Sequence, residues 1–238
     1  MELLGFGPTG WGDELRDGLF VTLMLAVPSY LLASLLAIGL AALASSERQA
    51  FQRVWRIYSS IMTGVPSLLI VFLIFYNLPL LLSAVIGRAV EVSQLTAGIV
   101  ALTLVYGAYL GEILRGAILS IPAGQFDAGK ALGLHTFGIF RLIIFPQVWR
   151  LVLPGYSNIW LVVLKDTVLV SLVGLTDIVR VANVAAGNTG KPLLFYFAVG
   201  VVFVVLALLS EAGVRALETR LERPYARVAQ KPKTGGAA

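Results

Sequence analysis

Lys165 and Asp166 stand side by side inside an apolar run from Leu151 to Thr176. At the centre of a membrane helix each would cost about 2.5–3.5 kcal/mol on insertion scales. Three arrangements meet that cost. The two charges neutralise each other, Lys165 snorkels to an interface, or they line a wet path. In the last case Asp166 would meet an ammonium or guanidinium and Lys165 a carboxylate. Neighbours on a helix project about 100° apart, so both need not face one space. Ser157, Thr167 and Ser171 on the same stretch offer hydroxyls for that path or for helix packing, which uses the same residue types. Glu112 and Arg115, three residues apart, share a helix face and read as a structural ion pair. Thr63, Gly64, Val65 and Pro66 free backbone groups within an apolar stretch, either as a kink or as the wall of a cavity.

A second polar stretch, FDAGKALGLHTFGIFRLIIFP at 126–146, carries Asp127, Lys130, His135 and Arg141. It holds no catalytic set, because no serine, cysteine or second carboxylate joins Asp127 and His135. With a single histidine and no cysteine, the chain has no multi-histidine metal site, thiolate site or disulfide. The nearest approach to a phosphate-binding loop is Gly190-Lys191. Ala185 stands where the first glycine belongs and Pro192 where Ser or Thr must meet magnesium, so the match is rejected. For 126–146 that leaves an interfacial connector or a docking element. Pro122 suits a first helical turn and Gly133 a C-terminal cap. Apolar residues at 137, 139, 140, 143 and 144 recur at helical spacing, and Pro146 is expected to end or kink that helix. The expectation is two short amphipathic helices near a membrane surface.

The elements that must position these groups are membrane helices. Of 238 residues, 58% are hydrophobic and 13% charged, against roughly 25% charged in soluble domains. So little polar surface suits lipid as the solvent. A span needs about 20 apolar residues, and five windows qualify: 19–44, 57–87, 92–111, 151–176 with its charged interruption, and 192–210. Runs such as LLIVFLIF do not alternate, which argues against barrel strands. Arg48, Arg53 and Arg56, then Arg115, Lys130, Arg141 and Arg150, then the arginines and lysines from Arg215 to Lys233 fall on one side. Arg16, Arg88, Arg180 and Lys191 fall on the other. The positive-inside rule therefore places the N-terminus outside and the C-terminus in the cytoplasm. The acidic N-terminal segment shows no cleavable signal, and the net charge of +5, distributed this way, implies no nucleic acid. The reading is an all-α membrane protein with an outer segment 1–18, a transmembrane domain 19–223 with a cytoplasmic loop 119–150, and a disordered cytoplasmic tail 224–238.

In that loop the sequence resembles the permeases of ABC importers, whose cytoplasmic loop runs E-A-A, three residues, G, nine residues, I-x-L-P. Here Asp127-Ala128-Gly129 is followed by Gly133 and then Ile143-Ile144-Phe145-Pro146 at the same spacings. TGVPSLLIVFLIFYNLP, YGAYLGEILRGAILSIPAGQ, FPQVWRLVLPGYSN and LKDTVLVSLVGLTDIVR narrow the resemblance to the polar amino-acid branch, the histidine, arginine and opine type. That branch usually carries arginine where Thr63 stands.

The resemblance implies a type I importer fold in the bacterial inner membrane, with five spans plus coupling helices. It implies a non-catalytic subunit that carries polar, basic amino acids or opine-like derivatives. Asp127, Ala128, Gly129, Lys130, Gly133 and His135 would dock on two copies of a separate ATPase, which binds the ATP and magnesium. This chain would hold no cofactor. A second permease, identical or related, would complete the path, and a periplasmic binding protein would deliver substrate. Asp166 resembles the acidic position of permeases for cationic amino acids and is favoured over Lys165 as a path residue, alongside Thr63 to Pro66, Ser157, Thr167 and Ser171. The missing arginine fits a specialised or scaffold half of a heterodimer. The rivals are a self-contained secondary transporter, which usually shows an internal repeat, and an intramembrane enzyme, which needs paired catalytic groups at membrane depth.

Overall fold

The computed structural model describes residues 2–7, 9–46 and 48–229 and contains no strand among them. Its helices are α1 (Gly12–Ala44), α2 (Gln49–Gly64), α3 (Ser67–Ile86), α4 (Gln94–Leu119), α5 (Ala123–Ala131), α6 (Thr136–Ile139), α7 (Phe145–Ser171), α8 (Ile178–Thr189) and α9 (Pro192–Ala229). Five stretches are long and apolar enough to cross a membrane: α1, α3, α4, Thr136–Ser171 and Pro192–Ala216. The expected count of spans stands.

Their limits differ from the hydropathy windows. Residues 57–87 are not one helix. Val65 and Pro66 are extended, with ψ of 136° and 129°, because a residue before proline is pushed out of the helical region. The chain therefore enters this span as an amphipathic helix, α2, and crosses as α3. Helix α1 begins at Gly12, inside the segment assigned to the outside. Helix α9 carries the chain through 224–229, where the tail was expected to begin, and 230–238 lie outside the described residues.

Between lipid-solvated helices there is little hydrophobic driving force, so close packing of small residues holds them together. Helices α1 and α4 follow that rule. Ala26, Ala33 and Ala37 recur along one face of α1, and Ala101 and Ala108 along α4; all five are fully buried. Tyr30 on α1 donates its hydroxyl to the Tyr156 carbonyl of α7 at 3.0 Å. Trp160 on α7 donates Nε1 to Ser210 Oγ of α9 at 3.0 Å. The opposite face of α1, with Leu31, Leu35 and Ile38, is exposed, as a lipid-facing surface should be.

Pro146 does not end the helix that precedes it. Phe140–Ile144 form a π-helical turn between α6 and α7, and Pro146 lies in the first turn of α7. The wider turn resets the hydrogen-bond pattern just before a residue that has no N–H to give. The second expected amphipathic helix is thus the head of a long membrane helix, continuous from Thr136 to Ser171.

At the other end of the bundle, α8 packs beneath the start of α1. Asp177 caps it: Oδ1 accepts the Arg180 N–H at 2.8 Å. The Ile178 N–H reaches Thr22 Oγ1 of α1 at 3.3 Å. Asp177 is fully buried and its Oδ2 has no hydrogen-bond partner. Burial pushes this carboxyl up to about 6 against the backbone donors that favour the anion.

Candidate functional site

Asp166 is the meeting point of three helices. The break at Val65-Pro66 starts α3 at Ser67, whose hydroxyl donates to Asp166 Oδ2 at 3.4 Å. From α4, the Tyr106 hydroxyl donates to the same oxygen in a short hydrogen bond. Tyr106 itself is only 3% exposed, so its ring is fixed and its hydroxyl is aimed. Oδ1 has no protein donor among the described residues and is not sealed in the interior. One carboxylate oxygen is held by two hydroxyls and the other receives no hydrogen bond from the described residues.

The polar groups continue along α4. The rings of Tyr106 and Tyr109 lie 5.9 Å apart, and the Tyr109 hydroxyl donates to the Thr63 carbonyl at 3.5 Å. Thr63 in turn donates its hydroxyl to the Ser59 carbonyl. Ser59 donates to Glu112 Oε1 at 2.8 Å, and Arg115 Nε lies 3.3 Å from Glu112 Oε2. Glu112 and Arg115 are therefore paired to each other and tied to α2.

Thr63, Gly64, Val65 and Pro66 lie beside this line of polar groups, at the α2–α3 break. The structure does not bring the other expected path residues to Asp166. Thr167 and Ser171 turn into the core, and their hydroxyls bond back to the Leu164 and Val168 carbonyls of their own helix. Ser157 bonds back to Leu153 and faces a groove beside α1. Lys165 is exposed and has no ion-pair partner among the described residues.

Sequence reasoning missed Tyr106, Tyr109, Ser59 and Ser67. A usable signal was present: Tyr106, Tyr109 and Glu112 are spaced by three, a polar stripe on an otherwise apolar helix.

The loop at the other end has a defined shape. Helix α5 ends in a Schellman motif: Leu134 N–H bonds to Gly129 O at 3.1 Å and Gly133 N–H to Lys130 O at 2.9 Å. Gly133 adopts φ +75°, which L side chains avoid. Gly129 is buried against Ile139 and Ile143, so α5 lies directly on the head of the long helix. Asp127, Ala128 and Lys130 face outward. His135 accepts the Gly138 N–H through Nδ1 at 3.1 Å, capping α6, and its ring stacks on Phe137. Around them Leu132 is 77% exposed and Phe137 65% exposed.

Residues 33–223 match the family described as binding-protein-dependent transport system inner membrane component. The nopaline transport system permease protein NocQ of Agrobacterium fabrum is 35% identical over 219 residues, covering 90% of this chain and 93% of its own. The arginine ABC transporter permease protein ArtQ of Haemophilus influenzae is 37% identical, over 85% of this chain and 91% of its own. The histidine/lysine/arginine/ornithine permease protein HisQ of Escherichia coli is 35% identical, over 89% and 94%. Among solved structures, an amino acid ABC transporter crystallised with histidines superposes with a TM-score of 0.77 at 26% identity, covering 88% of this chain and 95% of that one. The MetNI methionine transporter, at 18% identity and a TM-score of 0.71, shares the fold.

Proposed function

Because this chain belongs to the binding-protein-dependent inner membrane components of ABC transporters, we propose that it is a permease subunit importing basic amino acids or opine-like derivatives, with Asp166 as the cation's anchor in the path. The observation that carries this reading is the Asp166 carboxylate, with one oxygen held by Tyr106 and Ser67 and the other unpartnered. A preoriented anion at membrane depth favours a ligand ammonium or guanidinium, since a neutral ligand would leave it uncompensated. The named cargoes of the relatives, arginine, lysine, ornithine and the opines, agree with that chemistry.

Passage is the one step this chain performs. The motor is a pair of ATPase subunits seated on α5 and the head of the long helix, where Asp127, Ala128, Lys130 and His135 are presented beside exposed Leu132 and Phe137. ATP and magnesium bind there, on the partner. A periplasmic binding protein delivers substrate to the opposite end. The basic residues set the orientation, with the N-terminus outside and α5 in the cytoplasm. Lys165 supports a second permease subunit, related or identical. A lone lysine exposed on a membrane helix is costly against lipid and is accommodated where another subunit or the wet path meets it.

Gly129→Leu tests the coupling. A Cβ at Gly129 would lie 2.7 Å from Ile139 Cγ1 and 3.1 Å from Ile143 Cδ1, so α5 must lift off its support. The variant should reach the membrane but fail to co-purify with its ATPase or drive ATP-dependent uptake. Asp127→Lys, on the exposed side, should weaken the same association without touching the packing. Normal ATPase retention by both variants would refute the docking assignment.

A further inference from the structure

A groove of about 840 Å³ runs along the outside of the bundle between α1, α7 and α9. Its inner end is closed by aromatic residues. Tyr30 and Trp160 meet edge to face with ring centres 5.3 Å apart, and their hydrogen bonds tie α1 to α7 and α7 to α9 at that end. Its outer end lies between Ser45, Phe140 and Trp149. There Phe140, Phe145 and Trp149 form a ladder with ring spacings of 6.2 and 6.1 Å. The lining is almost wholly apolar.

This groove is separate from the Asp166 site. On α7 its residues Trp149, Leu153, Tyr156 and Trp160 recur at helical spacing, and Asp166 projects about 100° around the helix from them. Its length decides what it fits. From Tyr30 to Ser45 along α1 is about 22 Å, which matches one leaflet with its headgroup, half of a bilayer of about 40–45 Å, and falls short of the roughly 30 Å hydrocarbon core that a spanning helix must cross. A partner's spanning helix would need a seat across both leaflets. A groove closed near mid-membrane and open at one surface fits an acyl chain of a single leaflet.

Charge at the open end selects the headgroup. Arg48 follows three residues after Ser45 and is exposed, and Arg141 follows Phe140 and is exposed. Within 45–56 and 120–150, Arg48, Arg53, Arg56, Lys130, Arg141 and Arg150 stand against Glu47 and Asp127. Basic clusters between membrane helices are complementary to anionic lipid headgroups. We infer that the groove is a binding site for an anionic phospholipid of the leaflet facing α5, with its chain against the Tyr30–Trp160 pair and its phosphate among Arg48 and Arg141.

The test uses the intact transporter, permease with ATPase, reconstituted in bilayers of equal phosphatidylglycerol and phosphatidylethanolamine. After mild detergent extraction, retained lipid is read by native mass spectrometry. The wild type should retain phosphatidylglycerol in preference. Ala42→Trp, which fills the groove, should abolish retention, while Leu32→Trp, on the same helix and turned away from the groove, should not. Arg48→Gln and Arg141→Gln should each lower the preference about fivefold. Equal retention of the two lipids by the wild type, or unchanged retention in Ala42→Trp, would overturn the inference. So would a helix of another subunit found in the groove of the complex.

Discussion

Asp166→Asn isolates one charge at nearly constant shape. The amide keeps a carbonyl oxygen for the Tyr106 hydroxyl and the Ser67 hydroxyl, so the junction of α3, α4 and α7 should survive. What disappears is the negative charge on the unpartnered oxygen. A hydrogen bond to a charged group contributes about 1.5–3 kcal/mol, which corresponds to a loss of about 10- to 150-fold in affinity. The assay is equilibrium dialysis of radiolabelled arginine against the purified permease–ATPase complex without its binding protein, so that selection by the binding protein does not mask the effect. Citrulline, the same length as arginine but with an uncharged ureido group, is the control and should bind equally to both proteins. If arginine affinity changed less than threefold, or if both ligands weakened together, the carboxylate would not be the cation's anchor.

Two other outcomes follow from the end of the bundle near α8. A Cβ at Gly18 would sit 2.8 Å from Ile178 Cα and 2.9 Å from its nitrogen. Backbone cannot yield as a flexible side chain can, so Gly18→Val should destabilise by about 1–3 kcal/mol, read as a lowered unfolding temperature in detergent. Asp177 should make stability depend on pH. Its folded carboxyl is raised to about 6 from 3.8, so the folded state holds the proton more tightly. Its contribution is complete below about pH 4 and is lost as pH rises through about 6, up to about 3 kcal/mol in all. Thermal shifts from pH 4 to 7 should show that fall in the wild type and a flatter profile in Asp177→Asn.

Much of the architecture was legible because lipid imposes a length and a composition on every helix that crosses it. Five apolar windows became five spans, and the arrangement of α5, Gly133 and the following apolar turn was readable from spacing. The limits were not. Apolar composition runs on through Thr63 to Pro66, so hydropathy cannot see that Pro66 forces the backbone out of the helix. It likewise reads Pro146 as a stop, because the π-helical turn that accommodates it depends on hydrogen-bond register and not on residue type. Asp166 stood out by its cost. Its supporting residues did not, since a tyrosine or serine in a membrane helix serves packing as readily as a site, and only the tertiary arrangement brings Tyr106 and Ser67 to one oxygen. Thr167 and Ser171 mark the converse: a hydroxyl can satisfy itself on its own helix, so its presence near a site in sequence says little about where it faces.

The unbroken helical stretch from Thr136 to Ser171 has a mechanical meaning. At about 1.5 Å per residue it is a rod of roughly 54 Å, with α5 packed at one tip and Asp166 near the other. Two irregularities interrupt it, the wider turn at Phe140–Ile144 and Pro154 within α7, and these are the places where a load on the rod would bend it. A displacement of α5 would therefore reach Asp166 through one helix, without crossing a loop.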